Sequence, residues 1–144
     1  MTTTQRHAIF TVTIPGNPVP WSAPTVTRRG GFSAPKMRRW SRSAVVLIRA
    51  AWGGRPAIDG PAILRIVAVK ARPKRLLRRK DPDGRIPCPD WPDATNIQKL
   101  TEDAVQAAGV VTDDKRFVAV STWTLYAAKG EEPSVQILVE EWVK

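Results

Sequence analysis

Between Pro92 and Asp114 the chain reads PDATNIQKLTEDAVQAAGVVTDD, and no other stretch constrains the fold as much. It opens on Asp93 in a proline-flanked turn, takes up a helical pattern from Thr95 to Ala108, and closes after Gly109 on the pair Asp113–Asp114. Ile97, Leu100, Thr101, Ala104 and Ala108 fall within one arc, which predicts an amphipathic helix with that arc against a sheet. The opposite arc carries Thr95, Lys99, Glu102, Asp103 and Gln106. A helix flanked by two turns can fold its acidic ends, Asp93 and Asp114, toward one site, with Asn96 and Lys99 between them. Carboxylates, an amide and an ammonium together suit a hard divalent cation and a phosphate.

The remaining elements follow from periodicity and breakers. Residues 1–7 read as a flexible polar tail, and 8–144 as one domain, since 144 residues suffice for one core but not comfortably for two. Ile9 to Ile14 predicts a strand, and the prolines at 15, 18 and 20 break it. Trp21 to Lys36 reads as a loop. Ser41 is placed to cap a helix running to Trp52, with Ala44, Val45, Leu47, Ile48 and Ala51 as its apolar stripe and Gly53-Gly54 as its end. Pro61–Ala71, Phe117–Tyr126 and Ser134–Trp142 have strand composition, and Ala127–Pro133 reads as a hairpin connection. The resulting order is β-α-β-α-β-β: a single small α/β (α+β) domain with a mixed four-stranded sheet and two helices.

Charge narrows the partners. The net charge is +10, from 23 Lys and Arg against 13 Asp and Glu, which favours a polyanion, nucleic acid being the common one. The excess is concentrated in RPKRLLRRK, where Arg72, Lys74, Arg75, Arg78, Arg79 and Lys80 precede a turn-forming, proline-rich stretch. That segment reads as a mobile loop contacting phosphates. Arg28 and Arg29, in the loop after Trp21, are further candidates, a plain flexible loop being the alternative there. Cys88 is the only cysteine, so an intrachain disulfide is excluded and an inert buried thiol is expected. No apolar run approaches a membrane span or a signal peptide, and a cytoplasmic setting is expected.

Each candidate site residue has a plainer reading. Asp93 could merely cap the helix, and Asp113–Asp114 could sit in a solvated turn. Lys99 could steady a phosphate or leaving oxygen, or form an ordinary i,i+4 pair with Asp103.

P-D-x-x-N-x-x-K followed by an acidic pair resembles the RusA family of Holliday junction resolvases, common in prophages. That family's pattern is D-x-D-N-x-x-K, a helix with an internal aspartate, then D-D. Asp93, Asn96, Lys99, Asp103 and the pair Asp113–Asp114 match it, and the likeness spans most of residues 8–143. The resemblance implies a homodimer nicking four-way junctions symmetrically with Mg²⁺ or Mn²⁺. Asp93, Lys99 and Asp114 would be catalytic, Asp113 would assist the metal, and Asn96 would lie against DNA. One position departs: the second aspartate of D-x-D is Thr95, a neutral and weaker ligand. Either Glu102 or Asp103 supplies the missing charge, or the chain binds branched DNA without cutting it well.

Overall fold

The computed structural model describes residues 5–143 other than 24, 29, 33 and 91. Arg29 therefore lies outside the described residues. In chain order the elements are β1 (Gln5–Pro15), β2 (Thr25–Thr27), β3 (Gly30–Phe32), α1 (Pro35–Trp52), β4 (Ala62–Lys70), β5 (Ile86–Pro87), α2 (Ala94–Ala107), β6 (Phe117–Tyr126) and β7 (Ser134–Val143). Single 3₁₀ turns occur at Lys74–Leu76 and Asp114–Arg116. β2 and β3 pair with each other inside the segment read as loop.

The main sheet has five strands, not four, in the order β1-β7-β4-β6-β5. The extra strand is only Ile86–Pro87, too short and too proline-rich to leave a periodic signal, and it pairs at the edge, where proline is tolerated. β1 begins at Gln5 and pairs up to Val143, so residues 5–7, read as tail, belong to the sheet backbone. Ala127–Pro133 is not a hairpin. β4 lies between β6 and β7, parallel to the first and antiparallel to the second. The reason is burial: β4 (AILRIVAVK) exposes only Arg65 and takes the centre, whereas β6 leaves Val118, Ala119 and Trp123 exposed.

One apolar cluster unites the sheet with both helices. Ala62, Leu64, Ile66 and Ala68 of β4 alternate into it, beside Val135, Ile137 and Val139 of β7. α2 contributes Ile97, Leu100, Thr101 and Ala104 from the expected arc, and Val105 is buried with them. α1 starts six residues before Ser41, with Pro35 in its first turn and no side-chain cap, so Ser41 caps nothing. Proline at a first helical position is pre-organised for the helix, and the Lys36–Arg39 run propagates it well. The earlier start changes the buried stripe to Met37, Trp40, Ala44, Ile48 and Trp52, leaving Leu47 and Ala51 outside. Gly53 ends the helix at φ 69°, donating its N–H to the Arg49 carbonyl. Among the described residues no helix is long and apolar enough to cross a membrane.

The basic segment is folded rather than free. The half-buried Arg72 guanidinium donates from Nε to the Ala127 carbonyl (2.9 Å), from Nη1 to Leu76 (3.1 Å) and Pro82 (2.6 Å), and from Nη2 to Gly84. Arg72 is thus the hub that closes the loop, its guanidinium turned toward four carbonyls. Arg78 is paired to Asp81 (3.1 Å) and Arg75 to Asp90 (3.2 Å). Lys129 reaches in from the β6–β7 connection to the carbonyls of Arg78 and Asp81 (2.8 Å each). Of the segment expected to bind DNA, Lys74, Arg79 and Lys80 remain exposed with no ion pair among the described residues.

Candidate active site

α2 starts at Asp93. Its Oδ1 accepts the Thr95 amide (2.8 Å), capping the helix as the plainer reading had it. The carboxylate is exposed and makes no other hydrogen bond or ion pair among the described residues, so its second oxygen stays available. Capping and ligation are therefore compatible here. The Thr95 side chain is exposed beside it.

A cleft next to Asp93 brings in a carboxylate that sequence reasoning missed. Asp90 lines that cleft with Cys88, Asp93 and Thr124. It accepts hydrogen bonds from the Tyr126 hydroxyl and from Arg75 (3.2 Å). The hydroxyl bond first, and then the guanidinium charge, hold the Asp90 carboxyl below the usual range, while the same bond raises the Tyr126 hydroxyl. Asp90 sits in a proline-rich turn with no periodic signal, and only the fold shows its place. Cys88 is buried, as expected of an inert thiol.

One turn further along α2 is Lys99, and it does not pair with Asp103. Its ammonium lies 3.5 Å from the ring centroid of Trp21, whose backbone N–H donates to the Asn96 carbonyl (3.0 Å). The proline-broken segment after β1 thus delivers an aromatic face onto the lysine, with Asn96 half-buried alongside. Nothing local in the sequence links Trp21 to Lys99.

The second half of the helix gathers the remaining acids. Asp113 accepts the Lys115 amide (2.9 Å), capping the 3₁₀ turn, and that bond chiefly lowers its carboxyl. The adjacent Asp113, hydrogen-bonded to Asp114, pushes the Asp114 carboxyl up, helped by the charge of Asp103. Burial pushes Glu102 up, and Asp114 and Asp103 add to it. Glu102, Asp103, Asp113 and Asp114 therefore share one acidic patch, with the charges of Lys115 and Arg116 beside Asp113. Asp103 is ten residues, about 15 Å along the axis, from the Asp93 cap. Among the described residues, no three His, Cys, Asp or Glu side chains are grouped to hold a metal.

This patch carries a pH signature. A carboxyl raised in the folded state destabilises the fold once ionised, so stability falls as pH rises from the unfolded value toward the folded one. In chelator, Glu102→Gln is expected to raise Tm near pH 7 and to leave it unchanged below the ordinary glutamate pKa of about 4.3. A lower Tm at neutral pH would contradict the repulsion.

The sequence model of the endodeoxyribonuclease RusA family matches residues 15–140. The chain belongs to the RusA family. No curated protein matches it. RusA membership makes this a protein of an endodeoxyribonuclease family, and the matched span contains every residue placed above. The RusA match also covers Trp21 and Asp90, which no motif singled out.

Proposed function

We propose that the protein is a Mg²⁺-dependent endonuclease (Mn²⁺ substituting) that resolves four-way junctions and other branched DNA as a homodimer. The observation that carries this reading is Lys99, an exposed ammonium seated on Trp21 and flanked along α2 by Asp93 and the Glu102–Asp114 acids, in a RusA chain. The donor chemistry fits a hard cation: magnesium is commonly held by one or two carboxylates and keeps several waters. Asp113–Asp114 would hold it, with Asp103 and Glu102 adding negative potential and Asp93 reaching substrate or metal from the helix cap. When bound, a divalent cation stabilises charge on phosphoryl oxygens and lowers the pKa of bound water.

The chain's own residues supply the rest. Lys99 offers a fixed positive charge to a non-bridging or leaving oxygen, and Trp21 limits where that charge can be. Asn96 offers an amide to the same strand. A two-fold homodimer matches a four-way junction because a closed C₂ assembly presents two equivalent sites to two equivalent strands. Trp21→Leu is expected to lower the nicking rate about three- to tenfold, the size of one cation–π contact, with junction affinity retained and Trp21→Tyr largely rescuing. An unchanged rate would remove Trp21 from the site.

A second reading has its own support. Thr95 in place of an aspartate, and the lack of three converging carboxylates among the described residues, favour a branched-DNA-binding protein without cleavage. Offering a four-way junction and a linear duplex of the same sequence in Mg²⁺ separates the two. Nicked junction arms with intact duplex support the enzyme; a junction-selective gel shift without nicks supports the binder; equal treatment of both DNAs contradicts each.

A further inference from the structure

The arginines that the loop consumes have a counterpart on α1. Asp59 is the first acidic residue of the chain, so the whole of α1 and everything before it is acid-free. α1 carries Lys36, Arg38, Arg39, Arg42 and Arg49, all exposed, and none of them forms an ion pair among the described residues. At about 100° per residue, Arg38, Arg42 and Arg49 fall within roughly 40° of one line, a flank next to the buried stripe. They line one surface groove with Ser41 and Val45. Their axial spacings are about 6 and 10 Å, so the three guanidinium groups extend along roughly 16 Å of one face.

Two contacts tie this flank to the candidate active site. At one end, Ser22 N–H meets the Met37 sulfur (3.3 Å), one residue from the Trp21 that covers Lys99. At the other, Arg49 Nη2 donates to the carbonyl of Ala107, the last residue of α2 (3.2 Å). α1 therefore runs alongside α2 over the length that separates Lys99 from the acidic patch. A strand of DNA cut at α2 must leave across a neighbouring surface, and this one is positive along its length, with no acidic partner among the described residues. Guanidinium groups match phosphate geometry bidentately.

We propose that the Arg38–Arg42–Arg49 flank of α1 is the phosphate track of the protein, holding the backbone of the DNA arm that leads away from α2. The proposal rests on the nuclease reading for its choice of polyanion. It assigns DNA affinity to α1 rather than to the Arg72–Lys80 loop.

The test is fluorescence anisotropy with a labelled four-way junction over a salt series, using the full chain. Arg38→Gln with Arg42→Gln is expected to flatten the log–log salt dependence by about two units and to weaken binding about tenfold or more at moderate salt. Arg38→Lys with Arg42→Lys should restore the slope. A charge-matched control, Arg65→Gln with Arg85→Gln, removes arginines already paired to Glu140 and Glu131 and is expected to keep it. Melting curves confirm folding, and Arg42→Gln alone, predicted to cost about one unit, serves if the double variant is unstable. A slope equal to wild type in the α1 variants overturns the proposal while leaving the nuclease reading intact. Equal losses in variant and control also overturn it, since they report net charge alone. Wild-type protein that ignores DNA but binds anionic vesicles through α1, where Val46 is 62% exposed, overturns both readings.

Discussion

Asp114→Asn is expected to reduce junction nicking by about 10²–10³-fold while leaving junction affinity within about twofold, because it removes a carboxylate and no basic group. The physical ground is the electrostatics of the patch. Asp114 is raised by its hydrogen-bonded neighbour Asp113 and by Asp103, so negative charge is held there at a cost to the fold. A divalent cation relieves that cost. Two further consequences follow from the same interaction. The variant should melt higher than wild type in chelator, and Mg²⁺ should raise the Tm of wild type more than that of the variant. If Asp114→Asn nicks at the wild-type rate, the acidic patch is not the metal site. Should nicking fall while the Mg²⁺-dependent Tm shift persists, the cation lies elsewhere, with Asp90–Asp93 the next place to look.

The largest effect on stability is expected at Arg72. Arg72→Ala removes donors from the carbonyls of Leu76, Pro82, Gly84 and Ala127 at once. Stranding part of that set without partners should cost about 2–4 kcal/mol of unfolding free energy, read from denaturant titration. Arg72→Lys should recover little, since a compact ammonium cannot span the fork that a planar guanidinium presents. A fully stable Arg72→Ala protein with weakened, less salt-sensitive DNA binding would return Arg72 to the phosphate-contacting role its sequence neighbourhood suggested.

These two residues show what was and was not legible before the fold was known. The α2 stretch could be read because its apolar residues repeat at the helical period: Ile97, Leu100, Thr101 and Ala104 are all buried. The motif residues on it were named for the same reason, their spacing being local. Arg72 could not be read, because composition cannot tell a guanidinium facing four carbonyls from one facing water. Strand order was equally hidden. Whether Tyr126 and Ser134 join neighbouring strands depends on which strand is apolar enough to claim the centre, and β4 outcompetes both. The α1 start is missed for a different reason: the loop reading runs to Lys36 and the cap is placed at Ser41, although long basic side chains are good helix formers and Pro35 suits a first turn. Contacts between distant segments, Trp21 on Lys99 and Asp90 against Tyr126, had no signal to find.

Thr95 bears on whether the site cuts at all. Its backbone N–H is used by Asp93, so a side-chain change there would leave the cap in place, and the substitution alters ligand charge rather than helix geometry. On the proposed reading the activity falls on Asp93, Lys99 and the Asp113–Asp114 pair.

The most direct measurement is a time course of nicking on an end-labelled synthetic four-way junction, run with wild type and Lys99→Ala, in Mg²⁺ and in chelator. Nicks are expected from wild type in Mg²⁺ only, paired on opposing strands, with Lys99→Ala slowed about 10²–10³-fold at unchanged junction affinity. Wild type that shifts the junction equally in Mg²⁺ and chelator, and leaves every strand intact, would contradict the nuclease reading.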